Sequence, residues 1–285
     1  MKLFKHSAHI GIFSLVLTGT GLPAIAASDA KALQCIRDFS AEVQNIKVYE
    51  AKILKRELQP TGRYAETQVH IRQSRDGQAT VTFLDEGQSG IKNNGMKVTF
   101  DGSPYLGIQL GKPKYLGRIP HAVAQVVVGE KLRVTSPYVL DGEYFTVNRA
   151  GYFPLQRVLN TQLPSLEAAQ EGGITSLDGC NLRYQQHTRE ISKVTVTEQN
   201  SIFNIEDQFG TLAFFLLEAN RDRFKTLTEL FERADGKEIN VPKWFFDFDL
   251  TFDPVTRLPK FLRFKKNDVT VAEYTYELIA SEKSI

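Results

Sequence analysis

Trp244, Phe246, Phe248, Leu250 and Phe252 recur at every second position, with Phe245, Asp247, Asp249, Thr251 and Asp253 between them. In an extended segment this spacing puts the apolar set on one side and the carboxylates on the other. Such a row either packs as core beneath another element, the commoner use of an aromatic stripe on a strand, or borders a hollow that takes up an apolar ligand. Phe214 and Phe215, in an apolar helical stretch, and Val81 and Phe83, on an earlier strand, can face the same space. Together with the row they form the expected ligand-binding hollow.

Groups able to make or break bonds are sparse. Asp247 and Asp249 stand two apart, as a paired acid and base could, but the side opposite the aromatics is the solvent side, which accounts for both. His187 and Glu190 are three apart, and His70 and His121 are the other histidines beyond residue 26; without an HExxH or Cys/His cluster, no metal is expected. Gly87-Gln-Ser89-Gly90 lacks the spacing of a nucleophile elbow, and Gly111-Lys112 lacks the rest of a phosphate loop. The chain is read as non-enzymatic, with no catalytic residue and no cofactor. Its two cysteines, Cys35 and Cys180, can form a disulfide in an oxidising compartment or lie buried apart as thiols.

Residues 1–26 have the layout of a cleavable secretory signal: Lys2 and Lys5, an apolar stretch from Ile10 to Leu17, and the small-residue ending Ala24-Ile25-Ala26. No later segment is apolar for long enough to span a bilayer, so a periplasmic protein is expected. Gln34, preceding Cys35, and the charged Asp29 and Lys31 are a poor match to a lipid-anchoring sequence. Of 35 basic and 33 acidic residues, the signal removes two basic ones, leaving 33 of each and no net charge. Such a chain is poorly suited to nucleic acid. The basic run Lys260, Arg263, Lys265 and Lys266 reads as the solvated face of a hairpin, with contact to anionic lipid or a partner the other reading.

The elements that must position these residues are legible in part. Ala32, Leu33, Ile36, Phe39 and Val43 predict an amphipathic helix ending near Asn45, capped by Ser28 or Asp29. From Ile46 the period becomes two. Turn signals at Pro60-Thr-Gly62, Asp76-Gly77, Asn93-Asn94-Gly95 and Asp101-Gly102 predict a meander of strands near 47–58, 63–73, 78–84, 96–100 and 104–110. A partly helical segment from Pro154 to Leu166, interrupted at Pro164, precedes strands near 174–187 and 191–198. One long helix is predicted over 204–234, with Leu212 to Leu217 apolar on every side. The predicted turn at Asp253-Pro254-Val-Thr256 leads to a strand whose start Pro259 restricts. One domain over 27–285 is expected.

Three stretches carry a resemblance to a known family: Tyr49 to Glu57, Asn148 to Leu155, and Phe252 to Pro259 continuing to Glu273-Tyr274-Thr-Tyr276. With the element order, they resemble DUF1571, a family of uncharacterised bacterial exported proteins, and more broadly the lipoprotein-carrier fold of LolA, LolB and RseB. The resemblance implies an α+β fold, a strongly curved antiparallel sheet forming an incomplete barrel with helices covering its concave face. It implies a periplasmic, non-enzymatic binding protein holding a lipid, an acyl chain or a lipidated partner. The alternative is an envelope sensor or scaffold with a filled core that docks a protein partner.

Overall fold

The computed structural model describes residues 28–59, 61–84, 95–103, 105–109, 132–136, 140, 146, 149–169, 172–187, 190–243 and 246–283. The expected signal at 1–26, His121, Trp244 and the Ser89 and Lys112 segments lie outside them. The chain forms an α+β fold built on an open antiparallel sheet, an incomplete barrel.

Helix α1 (Ala30–Gln44) begins where Asp29 accepts hydrogen bonds from the amides of Lys31 (2.7 Å) and Ala32 (3.0 Å). Its buried stripe, including Ala32, Ile36, Phe39 and Val43, faces the sheet core. There follow β1 (Ile46–Leu58), β2 (Tyr64–Ser74), β3 (Ala79–Phe83), β4 (Lys97–Phe100), β5 (Tyr105–Gln109) and β6 (Leu132–Arg133). From β2 onward each of these strands pairs with its predecessor; the pairings up to β5 are those the alternation predicts, and β6 extends them.

Helix α2 (Tyr152–Glu167) runs through Pro164 instead of breaking there. Proline's missing amide falls in the last turn, where it forfeits a single helical bond. The hairpin β7 (Gly172–Asp178) and β8 (Asn181–Gln186) precedes β9 (Ile191–Thr195), which leaves the main sheet and pairs with β10 (Glu238–Pro242) in a two-stranded sheet.

Between β9 and β10 the single predicted helix is three: α3 (Ile202–Phe209), α4 (Ala213–Ala219) and α5 (Leu227–Arg233). Gly210 stops α3 with φ of 57°, and a Cβ there would lie 2.6 Å from that of Thr161. Asn220 stops α4 by turning its side-chain amide to the carbonyls of Leu216 (2.7 Å) and Asn240 (2.8 Å), while accepting from the Asn240 amide (2.9 Å). A propensity reading sees neither constraint, because both come from another part of the chain.

The C-terminal strands are β11 (Asp247–Phe252), β12 (Pro259–Lys266) and β13 (Val269–Lys283). Asp253 accepts from the amides of Val255 (3.0 Å) and Thr256 (2.8 Å), so the turn forms as its residue types predict. Asn267 and Asp268, both at positive φ, make the tight turn that returns the chain into β13. The main sheet runs β6-β5-β4-β3-β2-β1-β13-β12-β11-β8-β7. Its centre is the long pairing of β1 with β13, from Ile46 opposite Lys283 to Glu57 opposite Ala272.

Two hydrophobic clusters result. One lies between the sheet, α1 and α2; the other is enclosed by α3, α4, α5 and the β9–β10 pair. Helix α4 belongs to both, giving Phe214 and Phe215 to the first and Ala213, Leu216 and Leu217 to the second. That double duty is why Leu212 to Leu217 is apolar on every side.

Cys35 of α1 and Cys180 of the β7–β8 turn are joined in a disulfide, with Cα atoms 5.8 Å apart and a sequence separation of 145. Loop closure over that separation gives up to about 5 kcal/mol. Alkylation without reductant should leave the intact mass unchanged, and labelling after reduction should add two adducts. Replacing both cysteines by serine should lower the urea midpoint, with a loss of about 2–5 kcal/mol; an unchanged midpoint contradicts the bridge as a stabilising link.

Candidate functional site

The β11 row splits from the residues expected to share its hollow. Phe246, Phe248, Leu250 and Phe252 are all buried on the concave face, as the alternation predicts. They meet side chains, however, and not space. Phe246 stacks on Phe214 (centroids 5.1 Å) and meets Phe215 edge-on (5.5 Å), Phe248 stacks on Tyr184 (5.0 Å), and Phe252 meets Phe39 of α1 (5.2 Å). Phe214 and Phe215 thus fill the region in front of the row.

The open space lies one step along the sheet, over β12, β13, β1, β2 and β3. A hollow of about 70 Å³ is floored by Leu262, Phe264, Tyr274, Tyr276, Ile53, Val69, Ile71, Val81 and Phe83. Register explains the alignment: Phe83, Val69, Ile53 and Tyr276 are successive cross-strand partners and so form one transverse row. Of the expected hollow residues, Val81 and Phe83 line it. Phe264 stands at its boundary, edge-on to Phe215 at 5.4 Å.

The cover consists of Thr146, Arg149, Ala150, Gly151, Leu155 and Leu212. Gly151 sits at φ of 96° at the start of α2, where an added Cβ would lie 1.9 Å from the Tyr49 hydroxyl oxygen. That hydroxyl donates to Gln73 Oε1 (2.7 Å) and accepts from the Tyr152 amide (2.9 Å), stitching α2 to β1 and β2. Burial pushes the Tyr49 hydroxyl pKa well up, so it remains a donor. Polar groups also reach the floor. Lys55 lines the hollow, and Tyr274 donates to Glu57, itself buried, at 2.7 Å.

Behind the cover lies a charged cluster that the sequence reading missed. Arg149 chelates Asp207 (2.6 and 3.1 Å), Arg157 reaches the same carboxylate (2.5 Å), and Arg149 Nε lies 3.6 Å from Glu206 Oε2. Glu206 is buried and accepts from the Ala213 amide at 2.7 Å. Burial pushes its carboxyl up to about 7, against the opposing pull of Arg149 and that amide. The signal was available in principle: Ile202, Ile205, Glu206 and Phe209 share one helical stripe, and a carboxylate on such a stripe demands a partner.

On the convex face the expectation for Asp249 is corrected. It is only 8% exposed, on an interior strand where Arg183 (2.9 Å), Arg263 (2.7 Å) and Lys265 (2.6 Å) converge on it. Burial raises its pKa, but the three hydrogen bonds outweigh that and bring it to about 2. Asp247 is half-buried and accepts from the Gln186 amide at 2.8 Å. Neither faces the hollow. Among the described residues no group of His, Cys, Asp and Glu has the arrangement of a metal site, and no helix is long and apolar enough to cross a membrane.

No family model matches the chain, DUF1571 included, and no curated protein matches it. Among solved structures it is similar to a chain of the Pseudomonas aeruginosa MucA/MucB complex, at 9% identity and a TM-score of 0.34, covering 89% of this chain and 59% of that one. The chain therefore spans a little over half the length of that relative. It is also similar to the Mycobacterium tuberculosis lipoprotein LppX (6% identity, TM-score 0.32, covering 90% of this chain and 98% of that one). A third is a DUF1329 family protein from Desulfovibrio piger (8%, 0.30, covering 91% and 95%). The architecture described above rests on this chain's own strand order.

Two outcomes follow from the geometry. Gly151→Ala should cost about 2–4 kcal/mol in urea unfolding, since the new methyl displaces the Tyr49 hydroxyl from both partners; a near-neutral variant contradicts that seat. Asp249 has a depressed pKa in the folded chain, so its stabilisation is complete above the unfolded value of 3.8 and lost as pH falls towards about 2. Asp249→Asn should therefore lower stability at neutral pH by about 2 kcal/mol, and flatten the wild-type decline between those two values.

Proposed function

We propose that the chain is an exported binding protein, without catalytic activity, that holds an acyl chain or a similarly slender apolar group of a lipid or lipidated partner. Its site is the hollow between the central strands and the Gly151–Leu155–Leu212 cover. The observation that carries the reading is an apolar space beside a part of the core that ring-on-ring contacts fill. Apolar cavities stay dry and accept apolar guests; one of about 150 Å³ takes benzene. At about 70 Å³ this hollow takes the tip of a chain as it stands, and a longer one as the cover moves. Each methylene buried gains about 0.8 kcal/mol, so affinity grows with chain length without covalent chemistry.

The position of the site also accounts for its polar elements. Lys55 and the Tyr274–Glu57 pair give the floor a polar end, where the headgroup or peptide of an amphiphile can remain hydrated. The signal-like segment at 1–26 and the two-cysteine bridge support an envelope location. The filled half of the sheet, where Phe214 and Phe215 close over Phe246, favours the second reading, a sensor or scaffold that docks a protein partner on its exterior.

Delipidated protein should take up a fluorescent fatty acid, and purified protein should release lipid detectable by mass spectrometry. Val69→Trp, which fills the hollow, should weaken uptake about tenfold or more, whereas Phe248→Leu, outside it, should leave uptake unchanged. A wild-type chain that binds no fatty acid or lipopeptide and carries no lipid removes the lipid reading and leaves the docking one.

A further inference from the structure

Glu206 is in an unusual position for a carboxylate. One oxygen accepts from the Ala213 amide; among the described residues the other has no hydrogen-bond partner, and neither has Arg149 Nε, 3.6 Å away. An ionised carboxylate in water accepts several hydrogen bonds, so a single one at a residue 1% exposed leaves its charge undercompensated. The charged groups around it are Arg149, from the segment before α2, Asp207, its neighbour on α3, and Arg157 of α2. Arg149 and Arg157 both direct their guanidinium groups to Asp207, which takes much of the compensation that Glu206 would otherwise receive. On the turn towards α4, Thr211 is wholly buried with a hydroxyl that has no partner among the described residues.

The Arg149 end of this contact belongs to the cover, and the Glu206 end is tied to it through the Ala213 amide. Arg149 lines the hollow with Ala150 and Gly151, and Leu212, next to the amide that Glu206 holds, lines it from the other side. One turn further, Phe215 rests on Phe264 at the hollow's boundary. We propose that Glu206 is a proton-operated release on the hollow: when it ionises, the turn carrying Leu212 and the first turn of α4 draw away from the Arg149–Gly151 side of the cover, water reaches the carboxylate, and the hollow opens. This regulation rests on the hollow being the ligand site.

The direction of the response follows from linkage. In the closed state burial holds the Glu206 carboxyl at about 7, while a hydrated carboxyl in the open state returns towards 4.5. Between those values the closed state keeps its proton and the open state does not. Opening is therefore favoured by about tenfold per pH unit across that window and is level above it. The release works on rising pH: a neutral or alkaline medium loosens the cover and a mildly acidic one seats it.

Hydrogen exchange of the amides of Tyr152, Phe153, Leu155 and 212–217, corrected for intrinsic rates, tests this without any ligand. Wild-type protection should fall about fortyfold from about pH 5 to pH 7 and by only about a further twofold to about pH 9. Glu206→Gln, neutral at every pH and unable to ionise, should show level protection throughout, which separates Glu206 from the histidines. Carboxyl carbon titration of the wild type should give a Glu206 midpoint near 7, a readout that needs no variant. Level wild-type protection, an equal fall in the variant, or an ordinary carboxyl midpoint each overturns the release. Loss of fatty acid uptake with the exchange pattern intact overturns only the hollow as ligand site; uptake with pH-independent exchange overturns only the release.

Discussion

The pairing of β1 with β13 is the constraint on which the structure depends. It runs from Ile46 to Glu57 on one strand and from Lys283 to Ala272 on the other, joining an N-terminal meander to a C-terminal set of strands. Without it neither half has a second edge to continue from, and the floor of the hollow, which takes Ile53 from one half and Tyr276 from the other, is not assembled. The contact spans most of the chain, so its loop-closure cost precedes any gain from packing. Two register shifts, between Ile46 and Val48 and between Glu50 and Ala51, fall in the half of β1 that follows α1.

Helix α4 is the second point of leverage. It is short, and a helix of that length has little stability of its own. It persists because both of its faces are buried, one on the aromatic strands and one in the α3–α5 cluster. The same position makes it an effective transmitter: a displacement at its start, where Leu212 and the Ala213 amide held by Glu206 of α3 sit, is felt by Phe215 and hence by Phe264. The hollow and the helical insertion therefore share one wall.

Much of the fold was legible because it is written in local patterns. The strands of the meander begin and end within a residue or two of the alternation limits, since turn glycines such as Gly62 and Gly77 sit at positive φ where the chain must reverse. Asp253 and Asp29 act as their types predict. What was not legible depends on distant partners: Gly210 packed on Thr161, Asn220 bonded to Asn240, and Pro164 accommodated at a helix end. The hollow belongs to that class. Its place depends on the register of five strands and on which helix covers them, so Val81 and Phe83 could be associated with it by alternation, whereas Ile53, Val69 and Gly151 could not. The alternation from Phe246 to Phe252 reads identically as wall or as core, and only contacts from distant elements, Phe214 and Phe215 on Phe246, Tyr184 on Phe248 and Phe39 on Phe252, tell the two apart.

One feature at the rim of the sheet governs how molecules of this chain meet each other. Strand β7 is an edge, and its unpaired backbone groups would be a template for a strand from another molecule. The segment before α1 occupies part of that edge: the Asp29 amide donates to the Ile174 carbonyl (2.8 Å), and the Asp29 carboxylate accepts from the Ser176 amide (2.7 Å). The carboxylate that caps α1 thus also blocks strand addition, and the nearby Cys35–Cys180 bridge keeps helix and edge together when either frays. Loss of Asp29 would act on colloidal behaviour as much as on the helix, by exposing a sticky border.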